Sequence, residues 1–126
     1  MDTIKEVREI LELLESKQYT VLRQRLSEMN EADVAAILEE LEEQEMLKIF
    51  RILPKNMAAD VFSYLEVDNQ QLIITSLSDK EAANIINNLM ADDATDLLEE
   101  MPANVVKRLL ANASAETRRD INHLLR

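Results

Sequence analysis

The sequence predicts an all-α protein, a superhelical α-solenoid built from short amphipathic helices. Three observations carry that reading. Of 126 residues none is Gly and only Pro54 and Pro102 are Pro, which starves β-hairpins of turn residues and favours helix. A twelve-residue period runs through most of the chain. Within each period the apolar residues fall at helical spacing.

The first 28 residues stand outside the period. A Thr3-x-x-Glu6 pattern, with the form of a capping box, opens a longer helix through Val7, Ile10, Leu11 and Leu14. A less regular helix carrying Tyr19, Val21, Leu22 and Leu26 follows. Together they are expected to cap the open end of the stack.

From residue 29 the period never slips. Met29, Leu41, Leu53, Leu65, Leu77, Leu89, Met101, Ala113 and Leu125 lie twelve residues apart. The eighth and ninth residues after each anchor are apolar pairs: Ile37 and Leu38, Ile49 and Phe50, Val61 and Phe62, Ile73 and Ile74, Ile85 and Ile86, Leu97 and Leu98, Leu109 and Leu110. The fifth position adds Val34, Met46, Ala58, Ala82, Ala94 and Val106. Fifth, eighth, ninth and twelfth residues form an i, i+3, i+4, i+7 stripe, so each unit is one short helix and its turn. Turn chemistry follows the anchors at Asn30, Pro54, Asp68, Ser78, Asp92 or Asp93, Pro102 and Ser114. Ser78-Asp79-Lys80-Glu81 reads as a capping box.

A helix of roughly ten residues spans only about 15 Å and is marginal alone, because nucleation is costly. Stacking on neighbours must stabilise it. Arg118 and Asn122 occupy positions that are apolar in other units, which makes the last unit a polar terminus. The whole is read as one domain, 1–126, with capping helices over 1–28 and repeats over 29–126. The chain stops on a basic helical segment without a tail, as the end of an excised domain would.

Composition narrows the function classes. Without Cys there is no disulfide, thiolate metal site or cysteine nucleophile. Without Gly there is no phosphate-binding loop and no nucleophile elbow. His123 is the sole His, so a zinc site would need carboxylates for nearly all its ligands; it reads as a helix-surface residue. Phe50 and Phe62 take the ninth, core position of consecutive units rather than forming a stacking platform, and Met29, Met46 and Met101 are core. No constellation supports catalysis, so an enzyme is not expected. The start has neither a basic leader nor a long apolar run, and no stretch nears the roughly 20 apolar residues of a membrane span. The chain is read as soluble, not exported, and not itself inserted into a membrane.

The net charge is -11, and its distribution is uneven. Residues 1–27 carry five acids and five bases, 28–100 eighteen acids against four bases, and 101–126 two against five. Such a central block repels phosphate backbones and suits cations or basic protein surfaces, so nucleic acid is not an expected partner. Most of these acids simply keep a surface solvated. Glu39-Glu40-Leu41-Glu42-Glu43-Gln44-Glu45 lacks the order of a Ca²⁺ loop and reads as a solvated helix junction. Asp92 and Asp96 share one helix face, with Asp93 beside them. Like charges at that spacing destabilise a helix unless a cation or a helix end relieves them. Spacing alone favours capping by Asp92 or Asp93 and leaves a hard-cation site open.

Several blocks in fixed order resemble the amino-terminal domain of MgtE magnesium channels. They are Asn30-Glu31-Ala32-Asp33-Val34-Ala35-Ala36-Ile37-Leu38-Glu39-Glu40-Leu41, Phe50-Arg51-Ile52-Leu53-Pro54 leading to Ala58-Ala59-Asp60-Val61-Phe62, Leu77-Ser78-Asp79-Lys80-Glu81-Ala82-Ala83, and Asp92-Asp93-Ala94-Thr95-Asp96-Leu97-Leu98-Glu99-Glu100-Met101-Pro102. The resemblance covers about residues 15–126, and its spacing agrees with the twelve-residue period. It implies a superhelical domain on the cytoplasmic face of the cell membrane. In the parent protein this domain precedes a pair of CBS modules, a connecting helix and a membrane pore assembled as a homodimer. It further implies that Mg²⁺ bridges the domain to the CBS modules and holds the pore shut, through acids that match Asp60, Asp92 and Asp96 here. Asp60 departs slightly, since a longer Glu can stand at that place. Asp96 lies too deep in its helix to cap it, so for that residue the resemblance reverses the capping preference, while Asp92 can serve both ends. With the CBS half of each site lacking from this chain, Mg²⁺ is expected to bind weakly to the domain alone. The alternative is a protein-binding scaffold similar to the short-helix repeats of flagellar motor switch proteins, with an exposed apolar groove and no response to Mg²⁺.

Overall fold

The computed structural model describes residues 2–124. Among them lie α1 (Thr3–Glu15), α2 (Tyr19–Ser27), α3 (Glu31–Glu39), α4 (Glu43–Ile52), α5 (Lys55–Tyr64), α6 (Val67–Ser76), α7 (Asp79–Asn88), α8 (Ala91–Glu99), α9 (Ala103–Asn112) and α10 (Ala115–Leu124), and no strand. This is the all-α helical repeat that the period predicts. No helix among the described residues is long and apolar enough to cross a membrane. The last repeat anchor, Leu125, lies outside the described residues.

The period is a period of helix ends. The N-caps Asn30, Glu42, Pro54, Glu66, Ser78, Met90 and Pro102 follow one another at twelve-residue steps. Ser114 continues them, its hydroxyl accepting from the Thr117 N–H at 3.1 Å. The anchors Leu53, Leu65, Leu77, Leu89 and Ala113 are C-caps in extended conformation, for example Leu65 at φ -77° and ψ 153°. After α3 and α8 the anchors Leu41 and Met101 follow the C-cap by one residue. An extended residue ends the helix without the left-handed Gly that many helices use, and the side chains of Leu53, Leu65 and Ala113 are buried there. A repeat can therefore be built without glycine.

The one described residue with positive φ is Lys17, at 58°. It follows the Ser16 C-cap of α1. Gln18 N–H donates to the Leu13 carbonyl at 3.0 Å and Lys17 N–H to the Leu14 carbonyl at 3.1 Å, the paired bonds of a Schellman motif. At the other end of α1 the expected box beginning at Thr3 is displaced by one residue. Asp2 is the N-cap, its carboxylate accepting from Lys5 N–H at 3.3 Å; Thr3 is already helical, because Asp caps as well as Thr and stands one place earlier. The Ser78 box forms as predicted, with Glu81 N–H to Ser78 Oγ and Ser78 N–H to Glu81 Oε1 both at 3.1 Å. Asp68 lies in the first turn of α6, behind the N-cap Glu66.

The chain forms two compact units, Met1–Leu65 and Glu66–Arg126. In the first, α1 packs on α2 and α3, and α3 packs on α4 and α5. Its core holds Ile10, Leu22, Leu26, Val34, Ile37, Leu38, Ile49, Phe50, Val61 and Phe62. The Phe50 and Phe62 rings meet edge to face, 6.2 Å between centroids. Arg25 ties α2 to α1 through Glu6, at 2.9 Å, and Glu9. Its hydrogen bond to Glu6, aided by the charges of both acids, holds the guanidinium above its ordinary pKa.

In the second unit each helix meets the one two places along: α6 with α8, α7 with α9, α8 with α10. Ile73, Ile74, Ile85, Ile86, Leu97, Leu98, Leu109 and Ile121 are buried, as their repeat positions require. Side chains reach across the stack to backbone: Gln71 Nε2 donates to the Glu100 carbonyl at 3.0 Å, and Asn87 Oδ1 accepts from Ser114 N–H at 3.0 Å.

Candidate functional site

Asp60 sits in α5 of the first unit. Its neighbours Met57, Ala58, Ala59, Val61 and Phe62 are buried, and it is itself exposed. The helix register therefore turns this carboxylate to solvent. It has no hydrogen bond or ion pair to another described residue; the Ser63 hydroxyl donates only to the Asp60 backbone carbonyl, at 2.7 Å.

Asp92, Asp93 and Asp96 belong to α8 of the second unit. Ala94, Thr95, Leu97 and Leu98 form its buried face, and all three acids are exposed. Thr95, the buried polar residue, is satisfied by donating to the Ala91 carbonyl at 2.7 Å. The N-cap of α8 is Met90, which supplies no side-chain bond. The capping that spacing favoured for Asp92 or Asp93 is thus not what either does: both lie inside the first turn, where the positive end of the helix dipole still favours their charge. Asp96 is one turn further on and lacks that help.

Residues four apart on a helix place their Cβ atoms roughly 5–6 Å apart, so Asp92 and Asp96 form a pair of neighbouring carboxylates. α8 carries no base to offset them. Neither has a protein partner among the described residues. Their hard monodentate oxygens suit a divalent cation that keeps most of its waters. Among the described residues no group of three or more His, Asp or Glu is arranged to hold a metal ion, so the pair is at most part of a site. The structure brings Asp92 and Asp96 together; Asp60 belongs to the other unit.

Residues 29–126 match the family of the MgtE intracellular N domain. The chain belongs to that family. The fold of this MgtE N domain is also that of the crystal structure of the soluble part of a magnesium transporter. The TM-score is 0.86 at 21% identity, over 98% of this chain and 49% of that one. At that identity the likeness concerns the fold, and the N domain spans about half the length of that structure. No curated protein sequence matches it.

Arg119 has no distinguishing place in the twelve-residue pattern. It shares α10 with His123, and both line a groove together with Ala91 of α8. The available signal was the basic character of the last segment and the four-residue spacing of the two side chains.

Proposed function

We propose that this MgtE N domain is the cytosolic Mg²⁺-sensing regulatory part of a magnesium channel and has no catalytic role. The observation that carries the reading is the state of the three acids. In a member of this family, Asp60, Asp92 and Asp96 are exposed carboxylates that no described residue neutralises. Asp79, by contrast, faces Arg108 at 3.8 Å, and Glu6 is bound by Arg25.

On this reading Asp60, Asp92 and Asp96 hold one side of Mg²⁺ sites whose remaining ligands come from the CBS modules of the parent protein, a homodimer with a membrane pore. Mg²⁺ supplies positive charge between two negative surfaces. The helix frame supplies the rest: α8 keeps Asp92 and Asp96 on one face, and the buried residues on either side keep Asp60 outward. Without the ion the central acid block opposes approach of another acidic surface. Because the acids contribute only when the partner is docked, Mg²⁺ shifts the equilibrium toward the closed pore by its difference in affinity between the two states.

The test is channel activity against cytosolic Mg²⁺ in the parent protein carrying Asp60→Ala, Asp92→Ala and Asp96→Ala. The closing midpoint should move to higher Mg²⁺. Each single change should do less, because removing an acid also removes repulsion. The control replaces Glu42, Glu43 and Glu45, acids of the α4 start, and should leave the midpoint in place. An unchanged midpoint in the first variant, or an equal shift in the control, refutes the assignment.

A further inference from the structure

The turn between α1 and α2 is Ser16-Lys17-Gln18, and three features of it favour a different path for the chain. Lys17 holds left-handed backbone at φ 58°, a region that a residue with a Cβ enters at a cost. Gln18, the N-cap of α2, supplies no side-chain bond to the first-turn N–H groups, so the start of that helix lacks the acceptor a cap provides. No residue of the turn is Gly or Pro, and Lys and Gln are good helix formers. One continuous helix over residues 3–27, roughly 37 Å long, would return Lys17 to right-handed backbone. It would also pair the N–H groups of Tyr19, Thr20 and Val21 with the carbonyls of Glu15, Ser16 and Lys17. Against it stand the paired backbone bonds of the turn and the exposed hydrogen bond from Gln18 Nε2 to Ser16 Oγ, at 2.7 Å. A single copy cannot adopt the straight form, because straightening lifts α1 off α2 and α3, uncovers the fully buried Ile10 and parts Arg25 from Glu6 and Glu9.

We propose that α1 is exchanged between two copies of this chain, giving a domain-swapped homodimer in which α1 and α2 of each copy run as one straight helix. Two such helices, side by side and opposite in direction about a two-fold axis, lay α1 of each copy on α2 and α3 of the other. Ile10 then returns to the same core, and Arg25 meets Glu6 and Glu9 of the other copy. Exchange repeats every contact of the closed form, so the balance is decided at the hinge and beside the axis. At the hinge the left-handed residue is relieved twice per dimer, and short strained hinges favour swapping. Beside the axis lie Tyr19, 48% exposed, and Val21, 53% exposed, both within four residues of Lys17. In one copy they are apolar area left in water; in the pair they stand where the copies come closest, and their approach removes that area from water. A second copy is the occupant that fits, since it carries both the amphipathic α1 and the acids that take Arg25. The inference uses only the first three helices and is independent of the Mg²⁺ reading.

Co-refolding of two charge-reversed versions of the chain reads the exchange directly. One carries Arg25→Glu, the other Glu6→Arg with Glu9→Arg. Within either version alone, like charges face one another between α1 and α2, closed or swapped. In a swapped pair made of one of each, both α1–α2 contacts join opposite charges. Refolded together from denaturant at millimolar concentration and weighed by native mass spectrometry, the two versions should form the mixed dimer well beyond the half that random pairing gives. The hinge supplies a second arm in which no charge changes. Lys17→Gly suits the left-handed turn and weakens the straight helix in both copies, so the dissociation constant of the dimer, read by sedimentation, should rise about a hundredfold or more. Ser16→Ala with Lys17→Ala and Gln18→Ala removes the side-chain bond of the turn and favours helix, and should lower that constant. A dimer formed through another surface keeps α1 closed and is indifferent to Lys17 and to the mixed charges; random pairing together with an unchanged constant for Lys17→Gly overturns the proposal. A chain that stays monomeric at millimolar concentration even with the three Ala changes overturns it as well.

Discussion

Asn87 Oδ1 accepts the backbone N–H of Ser114 at 3.0 Å, across 27 residues of sequence. The contact fastens the entry of α10 to the end of α7. Ser114 then caps α10, its hydroxyl also lying 2.8 Å from the Thr117 hydroxyl. One side chain of α7 thereby sets where α10 begins, and with it the position of Arg119.

Asn87→Ala should therefore loosen α10 more than the rest of the second unit. The loss of one such bond is worth ~0.5–1.5 kcal/mol. Amide exchange is the direct measurement, with faster exchange expected over Ala115–Leu124 and little change in α6. Uniform acceleration throughout the unit would mean that Asn87 supports the whole stack and not the α10 entry.

Lys17 occupies the left-handed region, where a side chain with Cβ costs roughly 1–2 kcal/mol. Lys17→Gly removes that strain but widens the unfolded ensemble, which leaves a net gain of ~0.5–1 kcal/mol. Thermal melting should rise by a few degrees. A lower melting temperature would show that the Lys17 side chain contributes more than its backbone costs.

The twelve-residue period was legible because each unit repeats the same physical problem, burying one face of a helix too short to stand alone. The pairs from Ile37–Leu38 to Leu97–Leu98 solve it in one register, and all are buried. Helix ends were legible only to within a residue or two. Asp2 displaced Thr3 as a cap, and Met90, with no capping chemistry, took the place expected for Asp92 or Asp93, because the spacing of the core decides where a helix starts and side-chain capping adds only ~1 kcal/mol. Gln70, half-buried at an apolar repeat position, is followed by Gln71, which bonds to the Glu100 carbonyl. Nothing in the twelve-residue pattern signals that polar tie, since Gln71 lies outside the apolar stripe. The exposed acid pair of α8 could be placed on a face from spacing alone. The groove could not, since Ala91 meets α10 only through the stacking of each helix on the one two places along.

Met90 offers a direct check on that capping argument. It is 71% exposed and supplies no side-chain bond to α8. Met90→Ser should place a hydroxyl where the free N–H groups of the first turn need an acceptor, adding ~0.5–2 kcal/mol of stability. Ser78→Ala, which dismantles the capping box of α7, should lose a similar amount. Paired thermal melts of the two variants test the assignment, and shifts of the same sign would contradict it.

Phe62 is fully buried and meets Phe50 edge to face. Phe62→Ala should cost ~3–5 kcal/mol through lost burial and the cavity left behind. That is a large part of the ~5–15 kcal/mol available to a typical domain. Glu42→Ala, at an exposed position without a side-chain cap bond, should stay within about 0.5 kcal/mol of the unmutated chain. If the Glu42 variant is the less stable in denaturant melts, the inward register of α5 is wrong.

On the domain by itself Mg²⁺ should act mainly as a screening ion. Eighteen acids against four bases between residues 28 and 100 repel one another, so monovalent salt should stabilise the fold by screening. Mg²⁺ at equal ionic strength should do little more. Asp92 and Asp96 supply two exposed ligands, and no described cluster of three or more groups could hold a metal, whereas Mg²⁺ sheds its waters reluctantly and is held firmly only when further ligands converge. Stabilisation by a ligand grows with the ratio of its concentration to its dissociation constant, so a weak half-site gives only a small excess at millimolar Mg²⁺. Melting in MgCl₂ and in NaCl of matched ionic strength, with titration calorimetry beside it, separates screening from binding. The two melting curves should nearly coincide, and Asp92→Ala with Asp96→Ala should remove what difference remains. Tight binding by the isolated domain would mean that the acids already form a complete site and need no partner surface.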